Sequence, residues 1–263
     1  MPTYTADSLV LHRMNLGESD RILRIFTPEH GKLSAVAKGS RRASSRLVGT
    51  TELFTQSRLL LATSKSLDII TQCEIRDSFP RLRDDLERLA RATYVCELLD
   101  VFSMERDATA SREVFQLTVA ALRLLQREPA HRYFDGVVHA YELRLLTMLG
   151  YAPVLDRCAR CGGPINRLPV AFSPSMGGTL CNADRGQSAD AITLTEDSLA
   201  ALQSLARANS EALLVLRPTA KAAADVDRAL RWFIRVRAER AIKSADFLDS
   251  LRVAAATAST SRL

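Results

Sequence analysis

Three of the five cysteines lie in one segment at a spacing that is typical of metal ligands. Cys158 and Cys161 form a C-x2-C pair, Cys181 follows after nineteen residues, and Asp184 stands where a fourth thiol would be expected. Structural zinc sites surround the ion with four ligands, and a carboxylate oxygen is an accepted ligand beside thiolates. The segment therefore predicts one structural zinc ion bound by these four residues. The alternative is a remnant that no longer binds metal.

Catalytic use of these cysteines is disfavoured by the rest of the sequence. A catalytic zinc site needs an open coordination position and a nearby general base, and neither the H-E-x-x-H motif nor the deaminase signature occurs. A redox pair normally opens a helix, whereas these thiols run into glycine and proline. The G-x-x-x-x-G-K-[ST] and G-x-G-x-x-G loops are also missing. We therefore expect no enzymatic activity and no nucleotide cofactor.

The densest positive charge lies in the stretch KGSRRASSR. It contains no acidic residue, and its glycine and three serines disfavour a regular element. We interpret it as a mobile basic loop that binds DNA phosphates through Lys38, Arg41, Arg42 and Arg46. The net charge of +6 and the abundance of arginine agree with a polyanionic partner. A solvated loop without a ligand is the alternative.

A second basic cluster lies on the last predicted helix, over residues 220–251. Its apolar residues form a stripe that is expected to pack on the core, and arginines fill much of the remaining surface. The DNA-binding candidates here are Arg228, Arg231 and Arg235. The alternative is an ordinary solvated helix face. Because aromatic residues make up only 6% of the chain, phosphate contacts are expected to exceed base stacking.

The elements that must position these residues divide the chain into successive parts. Residues 1–80 contain five alternating segments such as KLSAVAK, separated by turn residues, and a five-stranded OB-fold β-barrel fits them best. Residues 81–152 and 193–252 repeat apolar positions every three or four residues, which predicts a mainly α-helical domain. Residues 153–192 form an inserted zinc-knuckle-like module, and residues 253–263 are expected to fray. The predicted class is therefore α+β.

The cellular compartment follows from what the sequence lacks. No stretch reaches the roughly 18 apolar residues that a membrane span requires. The N-terminal residues do not have the pattern of a secretory signal, and an odd number of cysteines argues against a disulfide framework. We therefore expect a cytoplasmic protein that does not bind a membrane.

Five segments between about Ser8 and Leu251 form a recognisable series when taken in order. They are GESDRILRIFTPEHGKLSAVAKGSRR, YVCELLDVF, YELRLLTMLGYAPVLDRCARCGG, GGTLCNAD and IKSADFLDSL. Together they resemble the RecO family of bacterial recombination mediator proteins. The resemblance implies an OB barrel, a helical domain and a cysteine module that binds zinc in some members. Asp184 departs from the family pattern at the fourth ligand.

The same resemblance implies a function. Such proteins bind single- and double-stranded DNA, anneal complementary strands, contact the C-terminal tail of the single-strand-binding protein and associate with RecR. Together these interactions help load RecA at gaps. A nucleoid-associated protein of the RecFOR pathway is therefore expected. The alternative is a zinc-stabilised transcription regulator or adaptor that reads one duplex site. A zinc hydrolase or deaminase is a third interpretation, which the missing base and histidine ligands disfavour.

Overall fold

The computed structural model describes residues 2–127, 134–166, 168–209, 212–213 and 216–260, without the side chains of residues 134 and 252–260. The chain forms two compact units. The first comprises Met1–Ala130 with Ile242–Leu263, and the second comprises His131–Ala241. Within the described residues, no helix is both long and apolar enough to span a membrane.

The first unit begins with a closed five-stranded barrel. Its strands are β1 (Thr3–Leu16), β2 (Asp20–Thr27), β3 (Gly31–Ala37), β4 (Gln56–Ala62) and β5 (Asp68–Asp77). They pair in the order β1-β2-β3-β5-β4, with β4 returning to β1. The β3–β5 pair is parallel and all the others are antiparallel. This arrangement confirms the predicted OB barrel.

The barrel closes because its strands alternate inward apolar and outward polar residues. In β3, Leu33, Ala35 and Ala37 are buried, whereas Ser34 and Val36 are partly exposed. The same alternation places Leu59 and Leu61 of β4 in the barrel core. One face of each strand therefore removes its apolar surface from water, at about 25 cal/mol for each Å² buried.

Helices supply most of the remaining structure. They are α1 (Leu86–Phe102), α2 (Ser111–Leu125), α3 (Phe134–Met148), α4 (Glu196–Arg207), α5 (Ala220–Arg237) and α6 (Lys243–Thr260). In the first unit, α1 packs against β1 and α6, and α2 packs against β2. In the second unit, α3, α4 and α5 pack together beside a three-stranded sheet. Its strands are β6 (Val170–Ser173), β7 (Gly178–Leu180) and β8 (Ile192–Leu194), in the order β7-β6-β8. The α+β class is confirmed.

The single helix predicted over residues 220–251 is wrong, because the structure has two helices there. Helix α5 ends at Arg237, Ala238 is extended with ψ 128°, and α6 begins at Lys243. The carboxylate of Glu97, on α1, accepts the backbone N–H groups of Lys243 at 3.1 Å and Ser244 at 2.8 Å. A carboxylate at a helix N-terminus satisfies unpaired donors and complements the helix dipole. A residue distant in sequence therefore fixes where α6 starts.

Two other predicted segments include residues that the structure does not describe. The predicted third helix, residues 132–149, is observed as α3, and its first two predicted residues lie outside the described part. The expected frayed tail, residues 253–263, is helical as far as Thr260, where α6 ends, and residues 261–263 lie outside the described part.

Candidate metal centre and basic loop

Two turns of the cysteine module present the four predicted ligands. The first turn is closed by hydrogen bonds from the N–H of Cys158 to Gly163 O at 2.8 Å and from the N–H of Gly162 to Cys158 O at 2.9 Å. The second turn follows β7, where the N–H of Asp184 donates to Cys181 O at 3.1 Å. Ala159 N–H also donates to a carbonyl of β7, at 2.7 Å. The first turn is therefore joined by a backbone hydrogen bond to β7, the strand that leads into the second turn.

The ligand atoms of this group, which we call the Cys3Asp cluster, all lie within 4.8 Å of one another. The two sulfurs of Cys161 and Cys181 are 3.8 Å apart. Asp184 Oδ2 lies 3.2 Å from Cys158 Sγ and 3.3 Å from Cys181 Sγ. Around a tetrahedral zinc ion, bonds of about 2.3 Å to sulfur and about 2.0 Å to oxygen imply separations of about 3.8 Å and about 3.5 Å. The Cys3Asp cluster could therefore hold one metal ion.

The local electrostatics favour the ionised forms of Asp184 and Cys158 but not that of Cys161. Thiol hydrogen bonds from Cys161, Cys158 and Cys181 lower the pKa of Asp184 to about 2. Burial of the Cys158 thiol opposes its ionisation, but backbone N–H groups around its sulfur outweigh burial and lower its pKa. The backbone N–H of Gly163 lowers the pKa of Cys161, but hydrogen bonds to Asp184 and Cys158 outweigh it and raise the pKa to about 11. Hydrogen bonds donated to a ligand atom are the usual support of a structural metal site.

Burial distinguishes the ligands. Cys158 is 1% exposed and packs with Ala171 and Leu180, whereas Cys161 is exposed. Cys158, Ala171 and Leu180 form the small buried apolar cluster of the module. A core of this size contributes little hydrophobic stabilisation, so a cross-link through a metal ion would matter for its stability.

The basic loop, residues 38–46, lies in the connection from β3 to β4 and exposes all four predicted DNA-binding side chains, which are those of Lys38, Arg41, Arg42 and Arg46. The loop is irregular, as predicted, but it is held by hydrogen bonds. Arg42 N–H donates to Gly39 O at 3.1 Å, and Ser45 N–H donates to Arg42 O at 2.9 Å. Further along, Leu47 packs against the barrel core. The loop therefore has a defined path over the barrel.

The arginines of α5 are partly neutralised. Arg228 pairs with Asp225 at 3.0 Å, and Arg231 pairs with Asp227 at 2.7 Å. Arg235 is exposed on the same helix. By contrast, the salt bridges in the described part of the chain include none with Lys38, Arg42 or Arg46. The basic loop is therefore the stronger candidate for a phosphate-binding surface.

One residue of this surface was missed by the sequence reasoning. Asp20 begins β2, and its Oδ1 accepts the backbone N–H of Gly39 at 2.8 Å. The pair is nineteen positions apart in sequence. Asp20 is visible in the stretch GESDR, but local periodicity does not predict which loop its side chain contacts. Only the pairing of β2 with β3 brings the two residues together.

Comparison with known proteins agrees with this architecture. Residues 1–79 match the family model described as Recombination protein O N terminal, and residues 83–246 match Recombination protein O C terminal. The chain is 37% identical over 259 residues to the DNA repair protein RecO of Symbiobacterium thermophilum, covering 97% of this chain and 100% of that protein. It is 35% identical to the DNA repair protein RecO of Pelotomaculum thermopropionicum, over 95% of this chain and 94% of that protein. It is 37% identical to the DNA repair protein RecO of Roseiflexus sp., over 95% of this chain and 86% of that protein. The chain therefore belongs to the RecO family of DNA repair proteins.

Proposed function

We propose that this protein is a non-enzymatic recombination mediator that binds single- and double-stranded DNA through phosphates and anneals complementary strands. The observation that carries the proposal is the exposed basic loop on the OB barrel of a RecO family member. Among the described residues no carboxylate forms a salt bridge with Lys38, Arg42 or Arg46, although the Asp20 carboxylate interacts with Lys38 and Arg42 electrostatically. Guanidinium groups suit bidentate phosphate contacts.

Annealing requires two strands to approach each other with their bases free. Phosphate contacts hold a strand without covering the base edges that must pair. Positive side chains at the same time reduce the repulsion between two polyanions. The low aromatic content of 6% agrees with binding through phosphates, since aromatic side chains that stack on the bases would compete with base pairing.

Membership of the RecO family supports two proposed protein partners. Association with RecR and with the C-terminal tail of the single-strand-binding protein would bring the annealing surface to gaps where RecA is loaded. None of these steps needs bond cleavage by the protein. The role would place the protein in the cytoplasm, at the nucleoid.

One structural zinc ion in the Cys3Asp cluster is part of the proposal. A bound zinc ion would supply a cross-link between the two ligand turns and no chemistry on DNA. The separations among Cys158, Cys161, Cys181 and Asp184 support it.

The decisive test is annealing of complementary oligonucleotides by the purified protein without nucleotide. We expect faster annealing than in the protein-free control. Replacing Arg41, Arg42 and Arg46 together by alanine should weaken binding similarly across sequences. It should also reduce the logarithmic salt slope by about 2.7 on duplex and about 2.1 on single strands.

A matched control removes the same charge elsewhere. Arg112, Arg123 and Arg127 are exposed on or beside α2, so their triple alanine variant loses three positive charges while the loop stays intact. A larger loss from the α2 variant than from the loop variant would move the DNA surface away from the loop. Annealing at the protein-free rate would overturn the proposed function, and strong preference for one duplex would favour a sequence-specific regulator.

A further inference from the structure

An acidic side chain holds the start of the basic loop. Asp20 follows the β1–β2 turn, and its Oδ1 accepts hydrogen bonds from the N–H of Gly39 at 2.8 Å and from the hydroxyl of Ser19 at 2.9 Å. Gly39 has a φ of +64°, the left-handed region that favours glycine. The carboxylate therefore fixes a backbone conformation at the first turn of the loop.

Arg41 adds two contacts to the same turn. Its backbone N–H donates to Ser19 O at 2.9 Å, and its Nη1 donates to Gly17 O at 3.0 Å. Ser40, between the two attachment points, is buried. A guanidinium has five N–H donors, so Arg41 keeps others for a phosphate. The β1–β2 turn and the basic loop are thereby joined into one surface.

An acidic residue is otherwise out of place in this surface. A negative charge beside Lys38 and Arg42 reduces the local positive potential and so opposes binding of a polyanion. The hydrogen bonds from Gly39 and Ser19 lower the pKa of Asp20, which keeps the carboxylate ionised. The electrostatic disadvantage is therefore present at neutral pH. Asp20 differs from the neighbouring Glu18 in its hydrogen bond to the loop, and this contact is what offsets the disadvantage.

We propose that Asp20 is a positioning residue for DNA binding, which acts through Gly39 to hold Arg41 and Arg42 in the orientation that meets phosphates. Asp20 itself touches no DNA. A loop that is already ordered loses less conformational entropy when it binds, and this gain exceeds the electrostatic cost of the carboxylate. The inference rests on the proposed DNA binding by this loop.

The test relies on a change in DNA affinity for which a purely electrostatic role and a positioning role of Asp20 predict opposite signs. On electrostatics alone, Asp20→Ala removes a negative charge and strengthens DNA binding. If Asp20 positions the loop, the same variant loses affinity, by about tenfold for one lost charge-assisted hydrogen bond. The logarithmic salt slope should also become shallower, because fewer phosphates are contacted at once.

Two conservative variants separate charge from geometry. Asp20→Asn keeps an oxygen acceptor and loses the charge, so we expect affinity equal to or above that of the wild type. Asp20→Glu keeps the charge and moves the acceptor by one methylene, so we expect weakened binding. Asp20→Glu still decides the question if Asp20→Ala does not fold, because electrostatics alone predicts unchanged affinity for this variant, and unchanged affinity would overturn the inference.

The matched control is Glu18→Ala, in the same β1–β2 turn. Glu18 is exposed and makes no hydrogen bond to the loop among the described residues, so its removal should strengthen binding slightly. Affinity is measured by fluorescence anisotropy on labelled single strands at several salt concentrations. Asp20→Ala binding as tightly as Glu18→Ala would overturn the inference while leaving the proposed function intact. Absence of DNA binding by the wild type would overturn the proposed function itself.

Discussion

Arg160 binds one oxygen of the Asp184 carboxylate and leaves the other facing the thiols. The guanidinium Nη1 lies 2.8 Å from Oδ1, while Oδ2 lies 3.2 Å from Cys158 Sγ. Three thiolates and a carboxylate carry four negative charges, which exceed the two positive charges of zinc. Arg160 offsets part of this excess and orients the ligand oxygen, as outer residues of metal sites commonly do.

Removing Arg160 should therefore weaken metal binding without removing a ligand. We expect Arg160→Ala to lower zinc affinity by about tenfold to a hundredfold. Competition titration with a chromophoric chelator measures the change. The neighbouring Arg157→Ala, which removes the same charge, serves as the control. Equal affinities for Arg160→Ala and the wild type would show that the guanidinium has no part in holding the ligand.

Metal removal should destabilise the second unit more than the barrel. Metal analysis is expected to find one zinc ion per chain, and a strong chelator or the Cys158→Ser, Cys161→Ser double change should lower the unfolding temperature of that unit. The sole tryptophan, Trp232, lies in the second unit, so its fluorescence reports the transition. DNA binding by the basic loop should persist. A protein without metal and with an unchanged transition would identify the Cys3Asp cluster as a remnant.

Gly31 occupies a position where a side chain has no room. A Cβ added there would lie 1.9 Å from the carbonyl oxygen of Asp107, and φ is +63°. We expect Gly31→Ala to lower the free energy of unfolding by about 3 kcal/mol, as judged by denaturant titration. Gly17→Ala is the matched control, because Gly17 has a φ of +57° with nothing within 4 Å. Its cost should be only about 1 kcal/mol, and equal losses in the two variants would contradict the steric argument.

A buried histidine should make the second unit less stable at alkaline pH. Burial lowers the pKa of His139, but nearby carboxylates outweigh burial and raise the pKa; they are chiefly Glu142, 2.8 Å from Nδ1, together with Asp227, 3.6 Å from Nε2. Because the pKa in the folded state exceeds that in the unfolded state, the stabilisation is fully present below about pH 6.5. It is lost as the pH rises through the raised pKa.

Thermal unfolding between acidic and alkaline pH, followed by Trp232 fluorescence, measures this effect. His139→Gln removes the titrating group and should flatten the pH dependence in this range. A wild-type transition that is independent of pH, or one that shifts upward as the pH rises, would contradict the assignment.

The sequence by itself determined the features that depend on local periodicity and spacing. Alternation in β3 predicted its buried face, and the C-x2-C spacing predicted which residues would share a site, because both patterns act over a few neighbouring residues. The ion pair between Arg231 and Asp227 can also be inferred from the sequence, since the two residues lie four positions apart on a helix.

Tertiary structure decided what depends on residues distant in sequence. Glu97 binds the N–H of Ser244, 147 positions away, and so separates α5 from α6 where apolar periodicity alone continues one helix. Asp20 reaches Gly39 only because β2 and β3 pair. In both cases a carboxylate satisfies backbone donors that the local sequence leaves unpaired, and its identity becomes known only when the chain has folded.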